Sequence, residues 1–414
     1  MTWSIEEEMH AIVNEGAFGK NRTLVSFKVY NSIPDLDEWK YTTIVGTVIT
    51  SDGLHYPVMI RLKIQDQMLR DCWQSDKLFH NELIMYEEII PFLLECRGPT
   101  VSDTNALSFS LFFYGRNKCG EFAEKDFIVF ENVYNLGYRF NEERLFLDNE
   151  HVTIALRAIA KFHGLSYTAK SKNPTRFRQI IADIRDPQSD ERGHWMVQHD
   201  WLKKLGKRAV DRLLARHGGD RYREHEGVRL FNRVVADGAN TLRRSLAVTE
   251  PLSVLCHGAY CRNSVMFQYD ECGRPFDVLI IDFFTPVHGS PALDLAVFLY
   301  MNTTRPQRDA RWSHYLDAYC ASLAAAVPRG VRVPDRTELD AEMATTAIYG
   351  FAWASMCMPY VLRDDSDMPD AALVSDDPVD YFLALGGDTG TELLADIVQH
   401  LIDMRYLTYP MNPT

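Results

Sequence analysis

The hydrophobic and polar positions change period along the chain, and each change marks a new kind of element. After a helical stretch and a glycine-containing loop within residues 1–20, β-branched and aromatic residues take over. LVSFKVY (24–30), YTTIVGTVIT (41–50) and YPVMIRLKI (56–64) predict three strands, and Ser51-Asp52-Gly53 predicts the hairpin turn joining the last two. From Asp76 to Leu94 the period lengthens. Leu78, Phe79, Leu83, Tyr86 and Ile90 recur at helical spacing, up to Pro91. ALSFSLFFYG and DFIVFENV then predict two further strands around the polar turn GRNKCGEFAEK.

From Leu147 the pattern is mainly helical. Glu150–Ala169 sets Val152, Ala155, Ile159 and Phe162 on one face, with Asp148 or Asn149 placed to cap it. Charged helical stretches follow at 176–186, 201–217 and 221–244, with a polar link at Asp186–Gly193. Three more helices are predicted at 310–326, 335–362 and 390–407, and Arg363–Pro378 is an acidic loop. Inside this helical half lies one unit of a different kind, Val254–Asp294. A short apolar run leads into a His-Gly loop, a hairpin turns at Glu271–Pro275, its second strand delivers Asp282, and SPALDL opens a closing helix. Ser290 can cap that helix and Pro291 suits its first turn, so Asp294 is expected to have a structural role.

Composition narrows the class. The 414 residues are 46% hydrophobic and 24% charged, as in folded globular proteins, and there is no internal repeat or low-complexity tract. A formal net charge of −13 opposes phosphate backbones, which excludes nucleic acid as the expected partner. Eight scattered cysteines lack the spacings of zinc sites or small disulfide scaffolds and are expected as reduced thiols. The acidic start MTWSIEEEMHAIVNEG has no apolar centre, which argues against a secretory signal and for a cytoplasmic protein. Met343–Leu362 carries no charge over about the length of a bilayer span. Its Thr, Ser, Gly and Ala content and mainly acidic flanks predict a buried helix instead of a membrane span.

The order of elements predicts an α+β, bilobal protein-kinase-like fold. A strand-rich N-lobe is expected over residues 1–131 and a mainly helical C-lobe over 132–414, with the hairpin 254–285 inside the second. Five stretches carry a closer resemblance: LFHNELIMYEEIIP, FIVFENVYNLGY, ALRAIAKFHGLSY, LCHGAYCRNSVMF and IIDFFTPVHGSPALDLAVFLY. In that order, over roughly residues 30–400, the chain resembles the insect ecdysteroid-kinase-like family, relatives of choline and aminoglycoside kinases. The resemblance implies ATP-dependent phosphorylation of a small molecule's hydroxyl, such as a steroid alcohol, with ATP and Mg²⁺ as cofactors. Such chemistry needs a cation on the phosphates, a base for the hydroxyl and oxygen ligands for the metal.

At several of these positions the sequence departs from what the resemblance implies. The base should be the carboxylate of a His-Gly-Asp loop, but the loop reads His257-Gly258-Ala259. Alanine cannot accept a proton, and loss of a general base costs about 10²–10⁴ in rate. His257 itself is expected to be architectural. The loop's metal-binding Asn falls on Ser264, a shorter and neutral ligand. The phosphate-contacting Lys falls on Arg61, whose fork is not interchangeable with an ammonium, and Lys63, two residues on, shares the same strand face as a substitute. Glu82 matches the helix glutamate that pairs with that cation, and Asp282 the metal-binding aspartate. Glu131 and Asn132 fall where the lobes join and an adenine edge would meet backbone groups. The stretch Asp35–Tyr41 stands where a glycine-containing phosphate loop is expected, yet it has no glycine and three acidic residues.

These departures together weigh against ATP and Mg²⁺ being held. They predict a kinase-fold protein with catalysis impaired or lost, retaining a pocket for a nucleotide or small molecule. The alternative is an active small-molecule kinase using Asp282 with Arg61 or Lys63 on the phosphates. Aromatic residues such as Trp195, Tyr349 and Trp353 are expected mostly as core.

Overall fold

A computed structural model describes residues 4–30, 41–98, 107–118, 122–191, 193–363 and 379–408. Helix α1 (Ile5–Asn14) precedes strands β1 (Leu24–Tyr30), β2 (Tyr41–Thr50) and β3 (His55–Lys63). Along β3 the side chains alternate. Val58 and Ile60 enter a small core with Val48, Phe127, Val129 and the apolar face of α1, so Met59, Arg61 and Lys63 point the other way. The register sets Val45 opposite Met59 and Thr43 opposite Arg61.

Asp66 caps α2 (Gln67–Cys72) by accepting the Leu69 N–H at 2.9 Å. The expected helix at 76–94 is longer than its periodicity predicts and is interrupted. It runs as α3 (Ser75–Ile84), one widened π-turn (Met85–Ile89), and α4 (Ile90–Arg97). Pro91 lacks the N–H that a continuous α-ladder needs at that point, and the wider turn absorbs the defect. Strands β4 (Phe112–Arg116) and β5 (Phe127–Glu131) complete one antiparallel sheet in the order β1-β2-β3-β5-β4. β4 is shorter than expected because the chain before it turns from the sheet toward the later strand Pro275–Ile280, with Ser108 in an isolated bridge to Leu279.

The larger core belongs to the helical part. Helix α5 (Asn149–Lys172) starts at Asp148, whose carboxylate accepts the N–H groups of Glu150 and His151, each at 2.9 Å. After α6 (Pro174–Ile181), the polar link holds a two-residue ladder, β6 (Ser189–Asp190) with β7 (Gly193–His194), and leads to α7 (Trp201–Ala215). The helix expected over 221–244 is two, α8 (Glu226–Ala236) and α9 (Gly238–Ser245), parted at Asp237-Gly238.

Two antiparallel ribbons follow. β8 (Val254–Cys256) pairs with β11 (Val287–Gly289), and β9 (Val265–Tyr269) pairs with β10 (Pro275–Ile280). Every residue of helix α10 (Ala292–Asn302) is buried. Helix α11 (Arg305–Ala326) packs along α5, and α12 (Arg336–Val361) packs along α10. A Cβ on Gly350 would lie 2.5 Å from the Ala296 backbone, so this glycine permits the close approach of α12 to α10. The uncharged stretch of α12 is therefore core. Among the described residues no helix is long and apolar enough to cross a membrane. The last helix, Gly387–Asp403, lies against α7 and α12. The acidic loop expected at Arg363–Pro378 lies, beyond Arg363, outside the described residues.

Candidate functional site

The site forms where β3, α3 and the end of β10 converge. Arg61, on the inward face of β3, extends its guanidinium between two carboxylates. One terminal nitrogen meets Glu82 of α3 and the other meets Asp282. All three are nearly sealed from solvent, at 2%, 2% and 3% exposure, so these ion pairs act in a poorly screened environment. The guanidinium also lies over the Phe130 ring, 5.4 Å from its centroid. Asp282 has φ of +65°, a left-handed backbone that costs a non-glycine residue about 1–2 kcal/mol. Such a conformation persists where the surroundings fix it, and here the buried pair with Arg61 helps to do so.

Lys63 meets different partners, although it shares Arg61's face of the strand. Its ammonium contacts Asp126 at 2.8 Å and Asp76 at 2.6 Å, and it also bonds to Asn117. This staple holds the β4–β5 turn to the end of β3. As placed, Lys63 serves that turn, while Arg61 meets Glu82 and Asp282.

The His-Gly loop is organised from below by Asp294. This buried carboxylate accepts the backbone N–H of His257 at 2.7 Å and of Gly258 at 2.8 Å, and its third partner is His163 Nε2 at 3.0 Å. Burial pushes the Asp294 carboxyl up, but the bond and charge of His163, with His257 and Gly258, outweigh it and hold the group below its usual value. His257 directs Nε2 to the Ile281 carbonyl at 2.8 Å, so that nitrogen carries the proton. Its Nδ1 accepts the Ala259 N–H at 3.3 Å. Both ring nitrogens thus serve the backbone. Gly258 has φ of +85°, and a Cβ there would fall 1.7 Å from the Thr285 carbonyl oxygen, so only glycine fits.

Ala259 places a methyl group where the resemblance calls for a base. Ser264 is turned into its own loop: its hydroxyl accepts the Cys261 N–H at 2.9 Å and donates to the Cys261 carbonyl at 2.8 Å. Its neighbour Asn263 is exposed. A magnesium ion needs several oxygen ligands in near-octahedral array. Here the Asp282 carboxylate already meets a guanidinium, and the Ser264 hydroxyl closes a turn, so the donor set as arranged does not fit the ion.

At the junction, Glu131 donates its N–H to Leu111 at 2.8 Å, and Asn132 donates its N–H to Pro57 at 2.9 Å. Both amides are used within the protein. The half-buried Glu131 carboxyl is pushed up by burial. The acidic stretch expected in place of a phosphate loop, Asp35–Tyr41, lies outside the described residues up to Lys40.

The model of the ecdysteroid kinase-like family matches residues 43–329, well over half of the chain. The chain belongs to the ecdysteroid kinase-like family. Among solved structures it is similar to a Plasmodium vivax ethanolamine kinase, at 12% identity over 90% of this chain and 81% of that one, with a TM-score of 0.42. A microcompartment-associated aminopropanol kinase also matches, at 12% identity over 96% of this chain and 99% of that one, with a TM-score of 0.42. A glucosamine kinase matches at 12% identity over 87% of this chain and 95% of that one, with a TM-score of 0.33. No curated protein matches this chain.

In this member of the ecdysteroid kinase-like family, residues that sequence reasoning passed over hold the site in place. Asn81, one residue before Glu82, donates its side-chain amide to the carbonyls of Arg185 (2.7 Å) and Phe284 (3.1 Å), and it accepts the Arg185 N–H at 2.9 Å. It thereby ties α3 both to the link after α6 and to the loop that follows Asp282. His163, on α5, bonds Tyr319 through Nδ1 at 2.7 Å and so fixes the imidazole that supports Asp294. Gln188 accepts bonds from Tyr349 and His194, each at 2.9 Å, beside the rings of Trp195 and Trp353. A lone Asn in a helix and a Gln in a polar link give no sequence signal of such roles.

Proposed function

We propose that this chain is a kinase-fold protein in which phosphoryl transfer is impaired and whose cleft serves to bind a nucleotide or small molecule. The observation that carries this reading is the clasp of Arg61 on Asp282. The carboxylate that would meet Mg²⁺ has a resident, covalently tethered cation, while the base position is Ala259 and the second ligand position is a serine engaged by its own loop. With no carboxylate at position 259, the substrate hydroxyl loses its proton acceptor, and with the metal position altered the leaving phosphate loses its charge stabilisation. Groups acting as one unit do not contribute additively, so the combined loss is smaller than the product of the single losses.

The test is phosphate transfer from ATP·Mg²⁺ to a panel of small alcohols, including a steroid alcohol, by the purified protein and by a variant carrying Arg61→Lys, Ala259→Asp and Ser264→Asn together. The native chain is expected to stay at the buffer rate and the triple variant to gain measurable transfer. Native turnover near about 1 s⁻¹, within the ordinary enzyme range, sinks the proposal.

A second reading, an active kinase working with Asp282 and Arg61, is favoured by one observation. Glu82 pairs with the strand cation, and Asp282 sits beside it in a fixed left-handed conformation. Under that reading Asp282→Ala abolishes a turnover that the native chain must first display.

A further inference from the structure

Between the sheet and the hairpin below it, one aromatic side chain touches both sides. The roof consists of Val45 and Met59, which face each other across β2 and β3 on the side turned away from the small core. The floor consists of Met266 on β9 with Leu279, Ile281 and Tyr138. Phe140 packs against both groups.

Its position follows from the backbone. Arg139 exchanges both main-chain hydrogen bonds with Phe267, each at 2.8 Å, and the Tyr138 hydroxyl donates to Asp277 at 2.5 Å. Residues 138–139 are thereby fastened along β9, and continuing the antiparallel register by one residue sets Phe140 opposite Met266. The ring then rises from the floor to the roof. Phe140 fills the space it shares with both groups, and in a close-packed interior a second ring enters there only by displacing it.

We infer that Phe140 is the residue that decides whether the interlobe slot accepts a planar heteroaromatic ring: in the arrangement seen here the phenyl group holds the place between Val45, Met59 and Met266, and a purine nucleoside enters only by displacing it. Phe140 is only partly buried, so this place is reachable from solvent. Displacement sacrifices the burial of one aromatic side chain, a handicap on ligand affinity of roughly 10- to 100-fold. The inference rests on the fold and on these contacts and is independent of whether phosphate is transferred.

Adenosine is the probe, since it carries the ring and no phosphate and so makes no demand on Arg61, Asp282 or a metal. Titration calorimetry of the full chain, of Phe140→Ala and of Phe140→Leu is expected to show adenosine binding roughly 10- to 100-fold tighter in the alanine variant, with the leucine variant between. Both variants are first checked for a cooperative melt, and Phe140→Leu, which keeps most of the apolar volume, carries the test if the alanine variant does not fold. Equal or weaker binding by a folded variant overturns the inference, because Phe140 is then a stacking wall for the ring instead of its competitor. Absence of adenosine binding in the native chain and in both variants overturns it as well, since the slot is then closed by something other than Phe140.

Discussion

Removing the guanidinium of Arg61 should damage the fold far more than a typical buried substitution. Glu82 and Asp282 are both nearly sealed, and Arg61 joins them. Arg61→Met fills much of the same volume but removes the guanidinium that both buried carboxylates meet. Breaking a buried ion pair by deleting one partner costs about 3–5 kcal/mol, mostly because the abandoned charge stays desolvated. That is a large part of the ~5–15 kcal/mol that holds a domain together. Arg61→Lys keeps the charge but cannot fork to both carboxylates, so it should lose about 2 kcal/mol, near one charge-assisted hydrogen bond. Adding Glu82→Gln and Asp282→Asn to Arg61→Met removes the orphaned charges and should restore more than half of the loss. Urea titrations followed by tryptophan fluorescence would measure all three, with unchanged slopes required for the comparison. A loss below about 1 kcal/mol for Arg61→Met, or no recovery in the triple variant, refutes the idea that this cluster is held by charge in a sealed environment.

Three further outcomes follow from named contacts. Gly258→Ala should lower stability by about 3 kcal/mol or more, from the left-handed backbone and the overlap with the Thr285 carbonyl, read as a fall in melting temperature. Asn81→Leu should cost about 1–3 kcal/mol in urea titrations, because the buried Phe284 carbonyl and the part-buried Arg185 backbone groups lose their partner. Burial holds the His194 imidazole down to about 4, so the folded state resists a proton that the unfolded chain takes up near 6.5. Its contribution is complete above pH 6.5 and fades as pH falls to about 4, a loss of about 3 kcal/mol, which urea midpoints at several pH values would detect and His194→Leu would flatten.

What the sequence disclosed, and what it withheld, divides by the range of the interactions. The period-2 alternation of YPVMIRLKI places Arg61 and Lys63 on one face, and the apolar run before Asp282 marks a buried strand ending in a carboxylate. Both are local signals, and they locate the elements of the site. The partners are another matter: Arg61 reaches Asp282 across 221 residues of sequence, and nothing local distinguishes it from Lys63, which turns to Asp76, Asn117 and Asp126. Ser264 was identified by spacing, yet the direction of its hydroxyl depends on the Cys261 turn. The strand expected over ALSFSLFFYG forms only in its second half, as β4, because alternation of Leu107, Phe109 and Leu111 also suits a segment that meets β10 at Ser108. The helix expected over 221–244 divides at Asp237-Gly238, the pair in that stretch with the weakest helix propensity.

The charges of the cluster also bear on what the cleft can accept. One guanidinium meets two carboxylates in a nearly sealed site. In a metal-dependent phosphotransferase the diffusible cation arrives with the nucleotide and neutralises the carboxylate at that moment. A tethered arginine meets that carboxylate without any diffusible ion. A polyphosphate then approaches buried carboxylates in a chain whose formal net charge is −13. An uncharged ring escapes that repulsion and meets only the apolar contest with Phe140. On this reasoning adenosine and ATP should part company in Phe140→Ala: the nucleoside gains affinity, whereas ATP gains less, and the gap between them narrows when Asp282→Asn is added. A gap that ignores Asp282→Asn would mean that the carboxylate is not what the phosphates meet.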